Sequence, residues 1–170
     1  NLAVSHLFIT GGATSDSERP IEVGGSFAIG ADCLPQRAQY IALGHLHRPQ
    51  RINYKDLDIR YAGSPLQYSK SEIGYSKCVY IVDVKAGKKA RIDEVMLKNY
   101  KPIEVWLCNS VEEAIQKCGS YGKRNIWVYI EIDTDRVIGQ SEMKEMRDLC
   151  PNIIEIRPNL RDQQNGQCQT

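Results

Sequence analysis

Three histidines are the side chains of this sequence best suited to metal chemistry, and two of them, His45 and His47, are separated by a single leucine. The pair directly follows Tyr40-Ile41-Ala42-Leu43, a short apolar run of the buried-strand type that ends at Gly44. The carboxyl ends of sheet strands are where α/β folds gather functional groups. Gly44 removes a side chain where the backbone turns. On an extended segment side chains alternate with period two, so His45 and His47 are expected on one side of the chain, aimed at a common point. His6 belongs to a separate strand-like run and meets them only through the fold. Neutral imidazoles suit zinc, manganese and iron. Taken alone, the H-x-H spacing also fits two ordinary loop histidines, or a lone three-histidine zinc site with an open fourth position.

Other side chains offer binding rather than catalysis. Arg48 and Arg51 follow the pair closely enough to touch a phosphate backbone, as guanidinium groups do well, and a solvated turn is the plainer alternative. Gly63-Ser64 offers backbone amides to a phosphate, although Gly63-Ser64-Pro65 is equally a rigid turn. Lys117, Lys123 and Arg124 cluster with Tyr121 near a helix end, where cations are favourable whether or not they bind DNA. Trp106 and Trp127 sit in apolar runs and are expected in the core.

The elements that must carry these residues fall into two regions with a boundary near Lys98 to Pro102. The first is strand-rich and punctuated by glycine: Ala3 to Ile9, Tyr40 to Leu43 and Asp58 to Ala62 read as strands, and Lys77 to Val84 with Ala90 to Leu97 as a hairpin around Lys85-Ala86-Gly87-Lys88. A polar loop, Thr14 to Pro20, leads to the glycine pair Gly24-Gly25. The second region alternates strands (Ile103 to Cys108, Ile126 to Ile132, Ile153 to Ile156) with two amphipathic helices. Ser110 and Glu113 form a capping box ahead of the apolar face Val111, Ala114, Ile115 and Cys118. Met143, Met146, Leu149 and Cys150 mark the second helix, stopped before Pro151. Whether these strands run parallel is not legible in the pattern.

A content of 42% hydrophobic and 25% charged residues is that of a globular protein, which argues against disorder. No apolar run approaches the roughly 20 residues of a membrane helix, and the N-terminus lacks the pattern of a signal peptide. The chain opens without methionine inside a strand-like run, as an excised part of a longer protein would. A net charge of +1 neither demands nor excludes a nucleic-acid partner. The six cysteines (33, 78, 108, 118, 150 and 168) form no C-x-x-C pair, so a thiolate metal site is not expected and buried, reduced cysteines in a cytoplasmic protein are.

The run Tyr40-Ile41-Ala42-Leu43-Gly44-His45-Leu46-His47-Arg48-Pro49 closely resembles the last metal-binding motif of the SbcD nuclease subunits, and its G-H-x-H core is shared by the calcineurin-like metallophosphoesterases. His6-Leu7-Phe8 looks like the H-L-F-type strand of that family, which carries another metal-binding histidine. Ser15 to Pro20 with Val23-Gly24-Gly25 resembles its intervening loop, and Tyr61 to Ser69 the segment after the histidine pair. Lys70 departs from a pattern that commonly places an aromatic residue there. The likeness is ordered from about residue 3 to 75 and looser through Pro151 to Pro158.

This resemblance implies an α/β (α+β) chain made of the back half of a metallophosphoesterase sheet layer (1–98), a small β-α-β-α-β capping domain (99–160) and a disordered tail or linker (161–170). It implies phosphodiester hydrolysis at two divalent metal ions, usually manganese. His6 and His45 would bind one metal and His47 the other. It further implies a DNA nuclease subunit, exo- and endonucleolytic on double-stranded ends and hairpins, serving recombination and repair, with an SbcC-type SMC-like ATPase as partner and a homodimer as assembly. The family's earlier motifs, D-x-H, G-D and G-N-H followed by an acid, have no counterpart here; Asp16, Asp32, Asp56 and Asp58 sit in no such motif. No catalytic residue is therefore identified, and the chain alone is expected to be inactive. The alternatives are a metallophosphoesterase of small phosphodiesters or phosphoproteins, and a non-enzymatic module that binds DNA or a partner.

Overall fold

The computed structural model describes residues 1–19 and 28–160, and the chain divides into two units, Asn1–Tyr100 and Lys101–Thr170. Expectations placed on Pro20, on Val23-Gly24-Gly25 and on the tail 161–170 lie outside the described residues.

In the first unit, β1 (Leu2–His6), β2 (Tyr40–Gly44), β3 (Gln50–Tyr54) and β4 (Leu57–Tyr61) form one sheet in the order β1-β2-β4-β3. β1, β2 and β4 run parallel, and β3 returns antiparallel on β4. Tyr40, Ile41 and Leu43 are all buried, as a strand flanked on both edges and covered on both faces requires. β4 alternates, burying Leu57, Ile59 and Tyr61 and leaving Asp58 and Arg60 half-buried. β3 is not foreshadowed by the hydrophobic pattern: of Gln50, Arg51, Ile52, Asn53 and Tyr54 only Ile52 is buried, and an edge strand needs no more. β5 (Lys77–Asp83) and β6 (Arg91–Leu97) form the expected hairpin as a separate two-stranded sheet.

The second unit is β7 (Ile103–Cys108), α1 (Val111–Ser120), β8 (Trp127–Thr134), α2 (Gln140–Leu149) and β9 (Ile153–Leu160), with a three-stranded sheet in the order β7-β8-β9. Its strands are parallel, and the two helices pack on one another. Ser110 caps α1 by accepting the Glu113 N–H at 3.2 Å, but the Glu113 carboxylate reaches one residue further than a capping box, to the Asn109 N–H at 2.8 Å. The core joins Val128, Ile130 and Ile132 of β8 to Ala114, Cys118, Met146 and Cys150. Leu149, expected on the apolar face, is 41% exposed. β9 runs four residues past the expected end, through Pro158, which an edge strand tolerates.

Trp106 is buried as expected, whereas Trp127 is 38% exposed and stacks under the Lys101 ammonium, 3.3 Å from the ring centre. The ring trades core burial for a cation–π contact. Cys78, Cys108, Cys118 and Cys150 are buried free thiols, and burial pushes Cys118 up to about 12, which makes it a poor nucleophile. Among the described residues no helix is long and apolar enough to cross a membrane.

Candidate metal centre

Parallel pairing of β1 with β2 sets His6 opposite Gly44, so the first histidine arrives beside the start of the His45-Leu46-His47 segment. The absent side chain matters here, because a Cβ on Gly44 would lie 2.7 Å from His6 Nδ1. Buried Tyr61 fixes the chain just beyond His6: its hydroxyl donates to the Leu7 carbonyl at 2.9 Å and accepts the Ile9 N–H at 3.0 Å. The His6 and His45 rings meet edge-on with centroids 5.6 Å apart.

The segment after β2 is not extended. His45 has φ 107°, a conformation that L side chains rarely adopt, so strand alternation does not describe the H-x-H segment. A twist at His45 does what alternation was expected to do. Leu46 is driven into the core at 1% exposure, while His45 and His47 line the same cavity as His6. This cavity, of about 810 Å³, is also lined by Asp16, Ser17, Glu18 and Tyr68.

His47 is held from several sides. The Glu18 carboxylate accepts its backbone N–H at 2.7 Å, and the buried Lys77 ammonium donates to its carbonyl at 3.0 Å. Its ring Nδ1 lies 2.6 Å from Ser17 Oγ and 3.3 Å from Glu72 Oε1, and the ring packs on Tyr68 with centroids 5.2 Å apart. Glu72 is fully buried and receives Lys77, the Ser17 hydroxyl and the Tyr68 N–H. Burial alone would push the Glu72 carboxyl up; the bonds from Lys77 and Ser17 outweigh it and hold the group below the usual carboxylate range.

The electrostatics favour a neutral imidazole at His45. Burial first, and then the neighbouring His6, push the His45 imidazole below its ordinary value, which leaves its lone pair available to a cation. Glu18 is pushed up by burial and down, more strongly, by the N–H groups of His47 and Ser15. Both its oxygens are thus engaged, one by His47 and the other by Ser15. Among the described residues no three His, Cys, Asp or Glu side chains stand close enough together to hold a metal ion. A pair of cations needs a carboxylate between them to offset their repulsion. The three imidazoles thus face one cavity, and among the described residues they do not close a metal site by themselves.

Residues 99–170 match the family model described as "Type 5 capsule protein repressor C-terminal domain", SbcD_C. The chain is 43% identical over 163 residues to the SbcD subunit of the nuclease SbcCD from Bacillus subtilis, covering 95% of this chain and 42% of that protein. It is 33% identical over 156 residues to the Staphylococcus epidermidis protein of the same name (92% and 40%), and 33% identical over 146 residues to that of Escherichia coli K12 (84% and 36%). The chain belongs to the SbcD family. It spans about two fifths of the length of these curated relatives.

In this SbcD-family chain the other candidate residues occupy distinct places. Arg48 lies over the Tyr75 ring at 5.0 Å. Arg51 lies on edge strand β3, near Asp58 at 3.7 Å, and lines a different cavity with Lys55, Lys88 and Lys89. Ser64 is buried beneath His47: its N–H donates to the His47 carbonyl at 3.1 Å, and its hydroxyl donates to the Leu66 carbonyl at 2.7 Å. In the second unit, Arg124 is engaged bidentately by Glu104 at 2.7 and 2.9 Å, and Lys117 lies 5.7 Å from the Trp106 ring centre. Sequence reading passed over Ser17, Glu18, Glu72 and Lys77, although all four buttress His47. Only the sequence neighbourhood of Glu18 hinted at a role; a buried Glu72–Lys77 pair has no signature in a polar stretch.

Proposed function

We propose that this chain is part of a metal-dependent DNA nuclease subunit that hydrolyses phosphodiester bonds at double-stranded ends and hairpins in recombination and repair. The observation that carries this reading is the convergence of His6, His45 and His47 on one cavity beyond the carboxyl ends of parallel strands. The names of the relatives, nuclease subunits of SbcCD, support it. In this reading His6 and His45 hold one divalent cation and His47 the other, with manganese the expected metal. Bound cations supply Lewis acidity toward the phosphate and the attacking water. The chain's own contribution is to place the imidazoles, to brace His47 through Glu18, Glu72 and Lys77, and to keep Leu46 out of the cavity. The second unit acts as a capping domain on DNA, an SMC-like ATPase is the partner subunit, and the assembly is a homodimer of the nuclease subunit.

The missing bridging carboxylate leads to a specific expectation. The 170-residue chain alone does not cleave a labelled DNA hairpin or blunt duplex with Mn²⁺, whereas the longer protein does and loses that activity in His47→Ala. Cleavage by the isolated chain that disappears in His47→Ala would overturn the half-site reading. A longer protein whose cleavage is untouched by His47→Ala would overturn the metal assignment.

A further inference from the structure

We infer that Glu72, acting through the Ser17 hydroxyl, fixes His47 as the tautomer that carries its proton on Nδ1 and keeps Nε2 as the donor nitrogen. The inference deepens the metal reading above and rests on it, with Glu72 as a positioning residue that does not itself touch metal or substrate.

A count of the protons around Glu72 leads there. Lys77 Nζ is 1% exposed and has three donors, which it directs to Glu72 Oε2, to Ser64 Oγ at 2.8 Å and to the His47 carbonyl at 3.0 Å. Glu72 in turn meets the Lys77 ammonium, the Tyr68 N–H at 3.3 Å and the Ser17 hydroxyl, with Ser64 Oγ and His47 Nδ1 further off at 3.3 Å each. A fully buried carboxylate against an ammonium is ionised and has no proton to give. The close approach of Ser17 Oγ to Glu72 Oε1 needs a proton between the two oxygens, and that proton belongs to Ser17. Ser15 Oγ lies 2.9 Å from Ser17 Oγ and, with its own hydrogen directed at Glu18 Oε2 at 2.8 Å, is a second acceptor for the Ser17 hydrogen; the Glu72 carboxylate is both nearer and charged and takes that hydrogen. Ser17 has then spent its one hydrogen and faces His47 Nδ1, 2.6 Å away, with a lone pair. Two lone pairs at that distance repel, so Nδ1 carries the hydrogen. The direct 3.3 Å approach of Nδ1 to Glu72 Oε1 has the same polarity. An imidazole oriented by a carboxylate at one nitrogen is presented to a metal through the other.

The direction of the relay is set by charge, which makes it reversible by an isosteric change. In Glu72→Gln, Lys77 still requires an acceptor and takes the amide oxygen, which turns the amide N–H₂ toward Ser17. Ser17 then accepts from Gln and donates to His47 Nδ1, and the ring proton moves to Nε2.

The experiment is long-range ¹H–¹⁵N NMR of the histidine rings of the 170-residue chain, recorded with a chelator present, for the native protein and E72Q. The native His47 is expected to show a protonated Nδ1 and a bare Nε2, and E72Q the opposite pair of shifts. A native His47 protonated at Nε2 overturns the inference, as does an E72Q spectrum matching the native one. If E72Q does not fold, Ser17→Ala decides: loss of the exclusive Nδ1–H pattern supports the relay, and an unchanged pattern overturns it. The measurement is free of metal, so it is separable from the reading beneath it. A native Nδ1–H tautomer whose signals are not broadened by Mn²⁺ in the longer protein would sink the metal assignment and leave the relay standing.

Discussion

A methyl group on Gly44 would stand 2.7 Å from Nδ1 of His6, although 38 residues separate the two along the chain. The clash is with a side chain and not with backbone, so the ring can swing away and the sheet can persist. Gly44→Ala is therefore expected to fold, at a cost of about 1–3 kcal/mol for local overpacking, and to lose the edge-on contact between His6 and His45. Circular dichroism should stay native while the His6 ring signals move. Unchanged His6 signals would show that the glycine is not there for the ring.

His45 carries a φ of 107°, where a side chain is strained and glycine is not. Strain of this kind costs on the order of 1–3 kcal/mol and persists at functional sites. His45→Gly is expected to be more stable than His45→Ala by about 1 kcal/mol once the extra unfolded-state freedom of glycine is offset. Both variants lose the imidazole, so the difference isolates the backbone. Paired urea melts of the two variants measure it, and equal midpoints would remove strain from the account.

Much of this site was legible because its histidines sit in local patterns: an apolar strand, a glycine, then H-x-H. The convergence of His45 with His47 was expected for a reason that does not hold, since the twist at His45 depends on a backbone angle that residue types do not announce. The brace behind His47 was hidden for a different cause. Glu72 and Lys77 are charged, and charge in a polar stretch reads as surface; only the tertiary fold reveals that both are buried against one another. β3 was hidden by its edge position, with Ile52 as its only buried side chain. In the second unit the alternation of strands and helices was plain, whereas Trp127 looked like core because an apolar run does not record a lysine waiting beside its ring.

Stability of the second unit should respond to acid through Glu142. Its carboxylate takes a bidentate bond from Arg136, at 2.7 and 2.9 Å, and the Gly139 N–H at 2.8 Å, and it is pushed down to about 2 from 4.5. A folded-state value below the unfolded one means the unfolded chain binds the proton more readily. The contribution is thus fully present above about pH 4.5 and is lost as pH falls toward 2. Glu104 shifts in the same direction, chiefly through Arg124. Glu142→Gln should flatten the acid limb of the stability profile of this unit and leave its neutral plateau little changed in slope. A native-like acid limb in the variant would assign the dependence to other carboxylates.

Both tryptophans lie in the second unit, on β7 and β8, so intrinsic fluorescence reports on that unit alone. Ile130 is fully buried and pairs with Trp106 across the parallel ladder, at the centre of the cluster that α1 and α2 cover. Ile130→Ala removes buried methyl and methylene groups and leaves a cavity between sheet and helices, at a cost of about 2–5 kcal/mol. The urea midpoint followed by tryptophan fluorescence should fall accordingly with the slope unchanged. The first unit has its own core around Ile41, Ile59 and Tyr61, so the ring signals of His6, His45 and His47 should survive at urea concentrations that have already unfolded the variant's second unit. Loss of both sets of signals at one midpoint would mean that the two cores unfold as a single cooperative body.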